Sequence, residues 1–343
     1  MAKDPLNGTL VEPKSLRHRI AAVMVDNYPI DARPQSGLHD AEIVYEVEAE
    51  GGITRYMALF LSHTPTKIGP VRSARTYFVD LARPYDAMFA HSGENDNVWE
   101  PLKELREQGF ADMEEILGTS EAFWRDNTRE MPHNLYTSVA RLRSAAPNHG
   151  WPDNAFKGKE FTFSDLAATP DPSSSPSPSS SPSPSPSPTP SATASGAAGD
   201  SSPAAGNATP QAVADATVTF WNDYEVKYHS TGAAFERSIV GVVQHDRDDP
   251  RPYEVSDVVA VWMPAQVLDE LGDLAMPVFG NFPAAVIRPD GVALGRWIAS
   301  GPGALPQLVD GAGNALPLIP GQIYIEVLPQ GGRLDVGKVH ITH

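Results

Sequence analysis

Ile43-Val-Tyr-Glu-Val-Glu-Ala-Glu-Gly-Gly-Ile-Thr-Arg-Tyr-Met-Ala-Leu-Phe-Leu61 holds two apolar runs, Ile43 to Val47 and Tyr56 to Leu61, on either side of Gly51-Gly52. Runs this short, rich in β-branched and aromatic residues and interrupted by glycine, predict strands around a turn. Side chains alternate along a strand, so Glu46, Glu48 and Glu50 are expected on one side of it. A second charged segment, Lys67-Ile-Gly-Pro-Val-Arg-Ser-Ala-Arg75, follows closely. Together they form the stretch richest in chemistry.

Moving outward, Ile20 to Val25 and Ala87 to Ala90 read as further strands, and Ser73 to Ala82, Val98 to Gln108 and Leu135 to Ala145 as helices. Asn134 is the expected N-cap of the last helix, with His133 at its entrance. Tyr77, Phe78 and Tyr85 are read as core. Residues 1–165 are therefore expected to form a mixed α/β domain.

From Pro170 to Pro190 every residue is Pro, Ser, Thr or Asp, and an Ala/Gly/Ser-rich run continues to about Ala216. Such a segment has too little apolar surface to offset its ordering entropy, so residues 166–216 are expected to be a disordered linker. Beyond it, Val218 to Tyr228, Ala234 to Val243, Val258 to Met263, Ala284 to Ile287, Ala293 to Ile298 and Ile323 to Val327 read as strands. Asp290-Gly291 between two of them is a hairpin signal. Residues 217–343 are expected to be a smaller, mostly antiparallel β domain, making the fold class α+β.

The chain has 343 residues, 41% of them hydrophobic, and a formal net charge of −17. This balance argues against nucleic acid as a partner, because phosphate recognition draws on a basic face. With no cysteine, disulfides, thiolate nucleophiles and cysteine-based zinc sites are excluded. No signal peptide and no apolar run long enough to span a membrane is read in the sequence.

Arginine suits carboxylate and phosphate groups through its planar fork of donors. If Pro70 or Val71 opened a helix, Arg72 and Arg75 would lie on its first turns and create an anion pocket. Arg55, Arg72, Ser73, Arg75, Asn27 and Asn134 are the candidate ligand-binding residues. The alternative is internal, with Arg55, Arg72 and Arg75 neutralising Glu46, Glu48 and Glu50.

A catalytic reading would use Glu46 or Glu50 with His91 or His133 in hydrolysis. On a continuous strand the Cα atoms of Glu46 and Glu50 would be about 13 Å apart, too far for a retaining carboxylate pair. No G-x-S-x-G elbow supports a serine nucleophile. His91, Glu94, Asp96 and His133 are metal-ligand types, but no H-E-x-x-H spacing joins them. No metal or cofactor is expected.

Ala22-Val-Met-Val-Asp-Asn27, Arg33-Pro-Gln-Ser-Gly-Leu38, Ala41-Glu-Ile-Val-Tyr-Glu46, Glu50-Gly-Gly-Ile-Thr-Arg55, Ile68-Gly-Pro-Val-Arg-Ser-Ala-Arg75 and Pro132-His-Asn-Leu-Tyr136 together resemble the YerB-like family of bacterial lipoproteins. Gly295-Arg-Trp297 and Pro320-Gly-Gln322 resemble the same family's C-terminal domain. The resemblance implies an exported chain anchored by a lipidated cysteine ahead of a stretch matching Pro5-Leu-Asn-Gly8; that cysteine is not in this sequence. His91-Ser-Gly-Glu94-Asn95 departs from the family's His-x-Gly-Gly-Ser. The family brings no established reaction.

The expectation is therefore a non-catalytic, extracytoplasmic binding protein of the cell envelope, with a cell-wall polymer or envelope protein as partner. Membrane contact is expected only through the lipid anchor. The alternatives are an envelope hydrolase and a structural, partner-docking protein.

Overall fold

The computed structural model describes residues 1–158, 161–164 and 212–343; most of the expected linker lies outside them. The first part supplies β1 (Ala21–Asp26), β2 (Ile43–Glu48), β3 (Thr54–Phe60), α1 (Thr76–Ala82), β4 (Met88–His91), α2 (Asp96–Glu107), β5 (Asp112–Glu114), β6 (Phe123–Arg125), β7 (Leu135–Thr137) and α3 (Val139–Ala145). The second part supplies β8 (Asp215–Thr219), β9 (Glu225–Ser230), β10 (Phe235–Ile239), β11 (Glu254–Trp262), β12 (Gly280–Arg288), β13 (Gly291–Ala299), β14 (Gln307–Val309), β15 (Gln322–Leu328), β16 (Arg333–Val336) and β17 (Val339–Thr342). The protein is mostly sheet with few helices. Most of the expected strands are present, but two are split by turns: Val218 to Tyr228 is the hairpin of β8 and β9, reversing at Trp221–Asp223, and Ala234 to Val243 folds back at Val240-Gly241 after β10. β12 and β13 turn at Asp290-Gly291 with Arg288 opposite Gly291.

One sheet runs through both parts in the order β17-β16-β8-β9-β10-β11-β15-β2-β3-β1-β4-β5, with β12, β13 and β14 branching from β11. Most pairings in the second part are antiparallel, but β15 lies parallel to both β11 and β2. Parallel strands are normally buried on both faces and read as continuous apolar runs. Ile323-Tyr-Ile-Glu-Val-Leu328 fits that rule at every position except Glu326. At this seam Glu326 is in register with Glu46, and both are buried.

Alternation along the strands builds a core on each face. Val44, Tyr56, Ala58, Tyr228 and Tyr324 belong to one, and Tyr45, Val47, Met57, Ile323 and Ile325 to the other. Tyr77, Phe78 and Tyr85 are core residues, as expected.

Two further local expectations are corrected. Residues 68–71 do not open a helix. Ile68 bridges Thr137, Gly69 bridges Ser36 and Val71 bridges Val25, so the backbone is already committed to extended pairing, and α1 begins only at Thr76. Gly69 is needed there: its φ is +147°, and a Cβ would lie 2.8 Å from the Leu135 carbonyl oxygen. The second correction is that Asn134 does not cap α3. Leu135–Thr137 pairs with Phe123–Arg125 as a strand, and Ser138 caps the helix by accepting a hydrogen bond from the Arg141 amide at 3.3 Å. An apolar strand running directly into an apolar helix hides the boundary.

Candidate functional site

Glu46, Glu48 and Glu50 meet three different environments, because β2 ends at Glu48 and Glu50 falls in the following turn. Glu46 forms a buried ion pair with Arg237 of β10, itself fully buried. The Arg237 guanidinium lies 5.0 Å from the Tyr324 ring centroid and 5.4 Å from that of Tyr56. Tyr228 donates to Glu326, completing the group. Burial, and then the neighbouring Glu46, raise the Glu326 carboxyl well above the ordinary range. Asn27 belongs to this interior network and donates to Glu46 at 3.1 Å and Thr54 at 2.6 Å.

Glu48 is buried with one carboxylate oxygen unpartnered, and the other accepts from the Trp221 amide at 3.3 Å. Burial pushes its pKa up to about 7. Glu50 has the opposite fate. It receives Arg55 Nη2 and Arg75 Nε, each at 3.0 Å. Burial would raise its pKa, but Arg55 and then Arg75 outweigh it and bring the value down to about 2. Ser73 is bound into the same frame, accepting from Arg75 Nη1 at 3.0 Å. Arg55 and Arg75 are thus buried and engaged internally.

Arg72 stands apart from that frame. Its side chain is 29% exposed and pairs through Nε with Asp26 Oδ2 at 3.1 Å, without hydrogen-bond geometry. Burial lowers its pKa while Asp26 opposes the shift. His133 Nδ1 donates to the same Asp26 oxygen at 2.7 Å, and Tyr28 stacks on the imidazole with centroids 5.3 Å apart. With Nδ1 engaged, Nε2 is the ring nitrogen left for a ligand. His133 lines a cleft of about 510 Å³ with Arg33, Arg129 and Arg247, while Asp31 and Glu130 supply the opposing charges.

The cleft arginines differ in how firmly they are held. Arg33 donates to Asn27 Oδ1 at 2.8 Å, and Arg129 donates to the carbonyls of Ala32 at 2.8 Å and Pro34 at 2.6 Å. Arg247 is exposed and reaches Thr128 Oγ1 at 3.3 Å. Asn134 sits behind the same loop, where it accepts from Arg125 at 3.0 Å.

The catalytic candidates are not brought together. His91 donates from Nε2 to Asp112 at 2.7 Å and from Nδ1 to the Gly93 carbonyl at 3.0 Å. Burial lowers its pKa, but Asp112 more than reverses this, and the net shift is upward. Among the described residues no hydrogen bond or ion pair joins His91 or His133 to Glu46 or Glu50.

Sequence reasoning passed over Arg237, Glu326, Arg129 and Arg247. Arg237 and Glu326 did leave a signal, a charge at a core-facing position: Glu326 interrupts the apolar run of residues 323–328, and Arg237 falls on the same face as Phe235 and Ile239. The two cleft arginines sit in loops with no periodicity to mark them.

Residues 6–152 match the N-terminal domain, and residues 216–325 the C-terminal domain, of DUF3048, a family of proteins of unknown function. The chain is 31% identical over 339 residues to "Putative lipoprotein YerB" of Bacillus subtilis strain 168, covering 98% of this chain and 89% of that one. It also matches the crystal structure of the Bacillus subtilis YerB protein with a TM-score of 0.76 and 26% identity, over 98% of this chain and 100% of that one. With both domains matched in order and the relative aligned along nearly its whole length, the chain belongs to the DUF3048 family of YerB-like proteins.

Proposed function

We propose that this protein is a non-catalytic binding protein of the cell envelope that holds an anionic ligand in the cleft formed by Arg33, Arg129, His133 and Arg247. The observation that carries this reading is the cleft itself, where three arginines and a histidine converge in a chain whose net charge is −17. Arg72 lies behind His133 as a neutral pair with Asp26 and is not part of the cleft lining. A phosphate or carboxylate group is the matching chemistry, and an anionic wall polymer supplies such groups in repeat. The envelope setting is supported by the relative's description as a lipoprotein.

Isolated cell-wall polymer and inorganic polyphosphate serve as probes in a sedimentation or titration assay. Arg129→Ala with Arg247→Ala should weaken binding about tenfold or more. Undiminished binding by this variant, with its fold verified by circular dichroism, overturns the proposal. Release of soluble products from the wall polymer by the wild-type protein would overturn its non-catalytic part.

A further inference from the structure

A second group of polar side chains lies at the ends of β4 and β5, outside the cleft. Parallel pairing of these strands sets His91 opposite Glu114. The turn after His91 brings Glu94 back over the histidine, with Glu94 Oε2 3.8 Å from His91 Nδ1. Ligand atoms of His91, Glu94 and Glu114 all lie within 4.8 Å of one another. Two ligands of a tetrahedral ion with bonds of about 2.1 Å are roughly 3.4 Å apart, so the His91–Glu94 spacing is close to that of a shared ion.

Glu94 provides an independent sign of a missing partner. Its side chain is 8% exposed, yet Oε2 is shielded from solvent and has no hydrogen-bond partner. A buried carboxylate oxygen in that state is costly unless a cation or donor meets it. Around it, Glu94, Glu114 and Asp112 are opposed by Arg106, which is paired with Asp112. With the carboxylates ionised and His91 neutral once its Nδ1 proton has left, this leaves two negative charges, the complement of a divalent ion.

We propose that His91 Nδ1, Glu94 and Glu114 form a site for a divalent first-row transition metal of the zinc class. The Asp112 carboxylate holding His91 Nε2 is the outer partner that fixes which ring nitrogen faces the ion. Binding replaces the Nδ1 proton, which otherwise reaches the Gly93 carbonyl. Glu114 retains both backbone contacts, the Gly93 amide on Oε1 at 2.9 Å and the Leu117 amide on Oε2, since each carboxylate oxygen that accepts one hydrogen bond still has a lone pair. Imidazole favours zinc over magnesium or calcium, and three protein ligands leave a position for water or a ligand oxygen.

Titration of the full-length protein with Co²⁺, read by visible absorption and followed by Zn²⁺ displacement, tests the assignment. One equivalent per chain is expected, with Zn²⁺ raising the melting temperature. Glu94→Gln should weaken Co²⁺ binding about tenfold or more, and Asp112→Asn by about ten- to a hundredfold. Glu94 makes no hydrogen bond through Oε2, so Glu94→Gln is the variant expected to keep its fold, and its unliganded melting curve checks this. The proposal is overturned if the wild-type protein binds neither ion in large molar excess, or if folded Glu94→Gln binds as tightly as the wild type.

Discussion

Arg237 and Arg72 each face a carboxylate from the same sheet, one in a sealed interior and the other beside a cleft. Arg237 is fully buried between aromatic rings and pairs with Glu46, while Tyr228 and Glu326 occupy the other side. Arg72 is 29% exposed and shares Asp26 with His133, which lines open space. The difference shows that arginine near glutamate or aspartate has no fixed meaning in a sequence. Where partners and rings enclose it, the charge is structural; where a wall is missing, it can meet a ligand.

The sharpest break of this comparison is Arg237→Met. Removing one member of a buried pair leaves an unpaired charge, so unfolding stability in urea should drop by about 3–5 kcal/mol. Replacing Glu46 and Glu326 with glutamine in the same chain should recover much of that loss. A drop below about 1 kcal/mol for the single change would mean that Arg237 does not hold the seam.

A carboxyl whose burial outweighs the pull of its nearest arginine should respond to pH in the opposite sense to Glu50. Asp257 is buried, accepts from the Ile319 amide at 2.8 Å, and has its pKa pushed up by burial to about 8. Its unfolded form loses the proton near the ordinary value of 3.8, whereas the folded form keeps it until about 8. Stability must therefore fall as pH rises between those values, by at most about 1.4 kcal/mol per pH unit. Asp257→Asn should flatten that slope in denaturation measured across the window.

For Glu50 the order reverses, because its folded value of about 2 lies below the ordinary 4.5. Its contribution is present above pH 4.5 and is lost as pH falls toward 2. Glu50→Gln should cost about 1–2 kcal/mol at neutral pH, reduced by its partial exposure, and progressively less on acidification. An equal cost at pH 3 and pH 7 would contradict the ion-pair account.

The smallest effect on stability belongs to the cleft. Arg247→Ala should change unfolding stability by less than about 0.5 kcal/mol, because an exposed side chain loses little on truncation. A large loss would move Arg247 to the structural side of the comparison.

The strands from Ile43 and Tyr56, and the Asp290-Gly291 hairpin, were legible because apolar runs and turn residues act locally. The seam was not, because no local pattern reveals that residues 322–328 pair with residues 43–48. Arg72 and Arg75 were recognisable as a charged group, but their placement depended on whether residues 68–71 became helix or were captured by Ser36, Thr137 and Val25. Spacing could not bring Glu114 to His91, since strand register does that. Arg129 and Arg247 reach one cleft from loops more than a hundred residues apart in the chain.

The position of β15 also governs the order in which the molecule can be completed. Until residues 322–328 have left the ribosome, the edge of β2 that they cover has no backbone partner, although every other strand of the first part already exists. A fragment cut after residue 158 would present that apolar edge to other copies, inviting intermolecular strand pairing. The C-terminal segment therefore acts as the closing stitch for the N-terminal part, and expression designs that divide the chain should carry residues 322–328 with it.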